Sequence, residues 1–194
     1  MIYALKHTTN IRIVFIINYI MITRKKIAIS GKIASGKSTL SKYIQEKYNF
    51  TRIGYGDAVK KFAKEIFNME YKDRQLLQDF AQSMRSIDED VWVKIVERHI
   101  NNTTENILVD DLRFPNELES LNKMGFTIIK IELDIDLQKE RIKNTYPTTF
   151  IEHYNRLNDI SESYINELEV EYTFNMTKEN EKKIFLLMDN IILG

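Results

Sequence analysis

Residues 26–38 read KIAISGKIASGKS, an apolar run from Lys26 to Ser30 followed by Gly31-Lys-Ile-Ala-Ser-Gly36-Lys37-Ser38. Beyond it, Leu40, Tyr43, Ile44 and Tyr48 recur at helical spacing. The order is strand, glycine loop, helix, and the loop fits G-x-x-x-x-G-K-S without departure. Glycines at those positions let the backbone wrap an anion so that several N–H groups point inward, and the following helix adds its positive end. In this pattern Lys37 reaches the β and γ phosphates of a nucleotide and the Ser38 hydroxyl binds Mg²⁺. A chance glycine turn is the plain alternative, and the agreement of motif with context argues against it.

Outward from this P-loop, strands and helices alternate. Asp57–Phe67 and Asp73–Met84 carry helical apolar stripes. Ser86 and Glu89 form a capping-box pattern that would start a helix through Val91, Trp92, Ile95, Val96 and Ile100. Trp92 reads as core ahead of a base-stacking platform. Asn106–Asp110 is a buried strand ending in two aspartates. Pro115 and Gly125 bracket the next helix. Phe126–Leu133 is a strand, Asp134 can cap the helix after it, and Pro147 limits that helix. Residues 148–170 are polar and ambiguous. Tyr172–Met176 reads as a last strand and Glu179–Ile192 as a closing helix. Nearly all-apolar strands alternating with helices predict an α/β protein: a three-layer P-loop NTPase fold, a parallel sheet of about five strands with helices on both faces.

The chain has 194 residues, 43% hydrophobic and 29% charged, which is ample for one domain with a real core. Cys is absent, which excludes disulfide scaffolds, thiolate metal sites and Cys nucleophiles. The formal charge is zero, but residues 1–45 hold eight Lys or Arg and no acid. That asymmetry suits a local anion site better than a nucleic-acid surface, and neither nucleic acid nor membrane is expected as a partner. Ile11–Ile22 is mostly apolar but too short to span a bilayer. With Met21 as a second plausible start, residues 1–20 are expected to be an N-terminal extension, an extra edge strand or arm being the alternative. Residues 21–194 are expected to form one P-loop domain with small acceptor-binding and lid insertions.

The P-loop needs a second oxygen ligand for its metal, and Val109-Asp110-Asp111 offers one where an apolar strand ends, with Asp110 the expected ligand beside Ser38. An N-K-x-D base-reading motif is missing, since Asn122-Lys123 is followed by Met124 and Gly125. Motor and AAA-type ATPases call for longer chains. The length suits a small kinase, which binds a phosphorylated acceptor beside ATP through arginines. Arg74, Arg85, Arg113 and Arg141 stand near predicted loops or helix ends. His7, His99 and His153 lack metal-ligand spacing and read as structural or exposed. The Lys37 amine is expected to have no structural partner of its own.

The blocks ISGKIASGKSTLSKYI, YGDAVKKFAKEIF, RQLLQDFAQSMRSIDEDVWV and VDDLRFPNE together resemble the deoxynucleoside monophosphate kinases of bacteriophages and other DNA viruses. The resemblance runs from about residue 25 to the C-terminus, with looser matches at Arg141, Ser161-Glu162 and Phe174-Asn175. It implies Mg²⁺-dependent transfer of the ATP γ-phosphoryl to a deoxynucleoside 5′-monophosphate, in the cytoplasm, of the host cell if the source is viral. The homodimer is left open. The ATP site would comprise Gly31, Ala34, Ser35, Gly36, Lys37, Ser38, Thr39 and, following the last strand, Asn175. Asp57, Lys60, Arg74, Gln78, Arg85, Asp111 and Arg113 would face the acceptor, Asp57 having helix capping as its alternative. Gln78 and Arg85, two helical turns apart, share a face, so that Gln78 could read a base and Arg85 hold the monophosphate. Lys37, Arg113 and Arg141 would serve the transferring phosphate. A different small-molecule kinase, for dephospho-coenzyme A or phosphomevalonate, or a non-catalytic ATP-binding regulator, would share the scaffold.

Overall fold

The unit quoted above forms as predicted: β1 (Lys26–Gly31) enters the glycine loop and α1 (Lys37–Tyr48) leaves it. The computed structural model describes residues 24–155, 157 and 160–194, so the proposed extension over 1–20 and the apolar stretch Ile11–Ile22 lie outside the described residues. The chain continues through β2 (Thr51–Arg52), α2 (Tyr55–Phe67), α3 (Arg74–Ile87), α4 (Val91–Asn101), β3 (Ile107–Leu112), α5 (Pro115–Lys123) and β4 (Thr127–Leu133). It ends with α6 (Ile135–Thr145), α7 (Phe150–Asn155), α8 (Ile160–Glu167), β5 (Tyr172–Met176) and α9 (Lys183–Leu193). The strands form one five-stranded sheet in the order β2-β3-β1-β4-β5, with every neighbouring pair parallel. β1 is the central strand, flanked by β3 on one side and β4 on the other. Ligands in such sheets bind at the carboxyl ends of the strands, where the order reverses.

Alternate side chains of a strand leave on opposite faces. Ile27 and Ile29 of β1, Leu108 of β3, and Ile129 and Ile131 of β4 pack with Leu40 and Ile44 of α1 and with Ile184, Met188 and Ile192 of α9. Ala28, Ile107, Val109 and Ile128 face the other way, against helices α2, α3 and α4. Burial on both faces is why these strands read as unbroken apolar runs. Trp92 is core, as expected: it is 2% exposed and its Nε1 donates to the Ala81 carbonyl at 3.1 Å.

Several local readings change. Ser86 and Glu89 do not start a helix. α3 runs on to Ile87, the Ser86 hydroxyl donates to Ser83 O at 2.7 Å inside it, and α4 begins only at Val91. A Ser near a helix end can bond back into its own turn, which competes with capping the next helix. β2 has two residues and sits at the sheet edge, too short for a periodic signal. Residues 148–170 contain two short helices, and the last helix starts at Lys183, after a turn. Asp134 does cap α6, accepting from Asp136 N at 2.8 Å, and Asp73 caps α3, accepting from Leu76 N at 3.0 Å.

Candidate active site

The loop after β1 is shaped by its glycines. Gly31 has φ 153° and Gly36 φ 92°. A Cβ on Gly31 would stand 2.7 Å from both the Ile131 carbonyl oxygen and Ser35 Oγ, so the loop can close over β4 only without a side chain there. Ala34 adopts φ 61°, a left-handed conformation that its residue type does not advertise. Ser38 and Thr39 are exposed in the first turn of α1.

Lys37 overturns one expectation. Its ammonium donates to Gly31 O, to Lys32 O at 2.7 Å and to Ser35 Oγ at 3.4 Å, so it has three acceptors inside the loop. Burial, helped by the Arg113 charge, pulls this amine down to about 8, against the opposing carboxylates of Glu162, Asp110 and Asp111. Side chains from α6 and α8 hold the outer rim. Gln138 Nε2 donates to Ile33 O at 2.7 Å, and the Ile33 N–H donates to Glu162 Oε2 at 3.0 Å. Arg141 Nη1 reaches Ala34 O at 3.5 Å and Met176 Sδ at 3.1 Å, while Nη2 pairs with Glu181 at 3.0 Å. Asn175 lies within β5, not after it; it is exposed, and its carbonyl accepts from Asn180 Nδ2 at 2.8 Å.

The two aspartates ending β3 are not equivalent. Asp111 is committed to backbone: Oδ1 accepts from Tyr55 N at 3.0 Å and Oδ2 from Gly56 N at 2.8 Å, at the start of α2. Burial raises its carboxyl above the ordinary range against those two bonds. Asp110 instead pairs with Arg52 Nε at 2.7 Å. Arg52 also holds Asp57, which in turn takes Lys60 Nζ at 2.8 Å. Asp57 sits in the first turn of α2 but makes no side-chain cap, so the capping alternative falls. Among the described residues no three His, Cys, Asp or Glu group as a metal cage. Mg²⁺ needs no such cage. It keeps waters and takes phosphate oxygens beside one or two protein oxygens, and the hydroxyl of Ser38 with the carboxylate of Asp110 is a hard-oxygen set of that kind.

Beside the loop lies a cavity of about 560 Å³ between α2, α3 and the end of β3. Lys60, Gln78, Arg85, Asp111 and Arg113 all line it, so five of the predicted acceptor residues converge there, and the two-turn spacing of Gln78 and Arg85 does place both on one face. Arg74 does not join them. It is exposed at the start of α3 and paired with Glu152 of α7. Asp57 reaches the cavity only through its bond to Lys60. The Arg85 guanidinium lies 4.1 Å from the centre of the Phe114 ring and 4.0 Å from Glu117 Oε1. Burial lowers its pKa from the ordinary arginine value.

Three residues that the structure ties into this site were given no role by the sequence reading. Glu117 is 3% exposed, accepts from Arg113 N at 2.9 Å and Phe114 N at 3.1 Å, and is pushed up to about 7 by burial. Glu162, 2% exposed, joins Arg113 Nη1 at 2.6 Å to the P-loop. Arg52 ties Asp57 to Asp110. Glu117 stood inside a block that carried the resemblance and Glu162 at one of its looser matches, neither with a role; Arg52 had no signal.

A phosphate loop at the end of a central parallel strand, with a side cavity rimmed by arginines, defines a P-loop nucleotide-binding protein of kinase-like architecture. The AAA domain family matches residues 27–162, and the chain belongs to that family. A match of domain size answers the length argument against an AAA-type protein. No curated protein matches the chain. Solved structures with the same fold include TT1252 from Thermus thermophilus (13% identity, TM-score 0.58, covering 87% of this chain and 97% of that one). An uncharacterized protein from Eubacterium ventriosum is similar at 16% identity and TM-score 0.59, covering 88% and 99%. Shikimate kinase from Acinetobacter baumannii, in complex with shikimate, is similar at 13% identity and TM-score 0.52, covering 88% and 94%. Among the described residues no helix is long and apolar enough to cross a membrane.

Proposed function

We propose that this protein transfers the γ-phosphoryl group of ATP to a deoxynucleoside 5′-monophosphate. The observation that carries the reading is the pairing of an intact P-loop with a side cavity lined by Lys60, Gln78, Arg85 and Arg113. Phosphoryl transfer asks mainly for alignment of two phosphates and neutralisation of spreading charge. Bound beside Ser38 and Asp110, Mg²⁺ would neutralise charge on the donor phosphates. Lys37 exchanges its bonds to the loop carbonyls for phosphate oxygens. Arg85 presents a planar guanidinium group that can hold two phosphate oxygens of the acceptor, and Arg113 serves the transferred phosphoryl group as it passes to the acceptor. The Gln78 amide faces the same space as a hydrogen-bonding probe of a base edge. An acceptor phosphate with a second pKa near 6 is already largely ionised at neutral pH, so its attack needs no general base.

A second reading is a kinase for a hydroxyl acceptor. Glu117 favours it, because a cavity-lining carboxyl raised to about 7 is tuned as a general base. Likeness in fold to a kinase bound to shikimate points the same way. Turnover of Mg²⁺-ATP against a panel of dNMPs, dephospho-coenzyme A, phosphomevalonate and shikimate separates the readings. We expect at least one dNMP to be converted and EDTA to stop the reaction. Conversion of a non-nucleotide acceptor alone would leave only the kinase scaffold standing.

A further inference from the structure

Among the described residues most ion pairs join at least one exposed partner, such as Lys42–Glu46 and Lys123–Glu119. Glu162 of α8 is different. Its side chain is 2% exposed, yet both oxygens are bonded, Oε1 to Arg113 Nη1 at 2.6 Å and Oε2 to the Ile33 N–H at 3.0 Å. One donor belongs to the phosphate loop and the other lines the acceptor cavity. The Lys37 ammonium of the same loop also feels this carboxylate. A carboxylate buried this deeply depends on its donors. Two anionic oxygens bridging a loop amide and a guanidinium present the charge and hydrogen-bonding pattern of two phosphoryl oxygens.

We propose that Glu162 is an internal stand-in for the transferred phosphoryl group: it spaces Ile33 N–H and Arg113 as a phosphoryl group would, and competes with ATP for both. The inference rests on the phosphoryl-transfer reading above. Two anions cannot share one amide donor without strong repulsion, so a terminal phosphate seated on the Ile33 N–H displaces the Glu162 carboxylate. Displacement releases the Arg113 guanidinium from its bond to Glu162 in the same event, and that donor then turns to the phosphoryl oxygens. Glu162 is thus a positioning residue that acts through Arg113 and the loop. The contrary view is a permanent strut that orients Arg113 throughout the reaction cycle.

Calorimetric titration of the full chain with Mg²⁺-ATP tests this, comparing wild type with Glu162→Gln, whose fold is checked by its melting transition. Removing the competing charge should tighten ATP binding about tenfold, the scale of one charged hydrogen bond. KM for the acceptor should move much less. Unchanged or weaker ATP binding by folded Glu162→Gln, or a defect confined to the acceptor KM, overturns the proposal in favour of the strut. A measurement on the wild type keeps the proposal falsifiable if that variant does not fold. The ¹³C resonance of the Glu162 carboxylate should shift on saturation with ATP, and an unshifted resonance in a chain that binds ATP overturns this proposal alone. Failure of the wild type to bind ATP overturns the phosphoryl-transfer reading, and this proposal with it.

Discussion

Under the proposed function the phosphate loop and the side cavity share one task, holding an anion, and would meet it with different parts of the chain. The loop uses consecutive backbone groups between Gly31 and Ser38, and its side chains largely serve its own shape, as when Lys37 bonds Gly31 O and Lys32 O. The cavity uses side chains from α2, α3 and the end of β3, with Lys60 and Arg113 on its wall far apart in sequence. A site built of backbone depends on conformation and tolerates only residues that permit it. A site built of side chains depends on the fold bringing them together, and on buried neighbours such as Glu117, whose Oε1 lies 4.0 Å from the Arg85 guanidinium.

The comparison can be broken by mutation. Lys37→Ala should lower kcat by about 10²–10³, or roughly 3–4 kcal/mol, with every cavity residue intact. Its loss of loop bonds should also lower the melting temperature slightly, on the scale of about 1 kcal/mol. Steady-state kinetics beside a thermal melt checks both, and near-normal turnover would remove Lys37 from the donor role.

Glu117 should give the next largest effect, read through pH. Its carboxyl is raised from 4.5 to about 7 in the folded protein. The folded state therefore holds the proton more tightly than the unfolded chain does. The resulting stabilisation is complete below the unfolded value and is lost as pH rises through about 7. Over that window the loss is at most about 3 kcal/mol. Melting curves from pH 4.5 to 8 should fall for wild type and show a flatter course for Glu117→Gln. Parallel curves would show that Glu117 titrates normally.

Arg113→Lys and Arg85→Lys should raise the acceptor KM and lower kcat, for about a tenfold or greater loss in kcat/KM, since an ammonium cannot hold two oxygens at once. The KM for ATP should move less in Arg85→Lys. A defect falling mainly on ATP would assign that arginine to the donor side. Arg74→Ala should do least, within about twofold, because an exposed ion pair contributes under about 1 kcal/mol. A large acceptor defect there would mean that the wall of the cavity extends to the start of α3.

How much could be read from sequence follows the same division. The loop was legible because a Cβ at Gly31 collides with Ile131 O, so conformation restricts residue type. The central strands were legible because burial on both faces leaves unbroken apolar runs. Gln78 and Arg85 were legible because one helix carries both and its period relates them. Arg52 and Glu162 were not assigned roles, since charged residues carry no periodic signal and their partners Asp110, Arg113 and Ile33 are distant in the chain. Glu117 bonds Arg113 N and Phe114 N close by, and what local sequence does not show is its burial 4.0 Å from Arg85. Ser86 and Glu89 misled because local pattern cannot say whether α3 has already ended.

The bond of Asp111 to the first two amides of α2 has a mechanical consequence. It bolts one end of a 13-residue helix to the sheet, while the far end is seated by packing, the Phe67 ring lying edge-on to Phe80 of α3 at 5.6 Å. Hydrogen bonds fix direction and apolar contacts do not, so the helix takes its angle from Tyr55 and Gly56, next to the strand end, and the position of Lys60 is referred to the sheet.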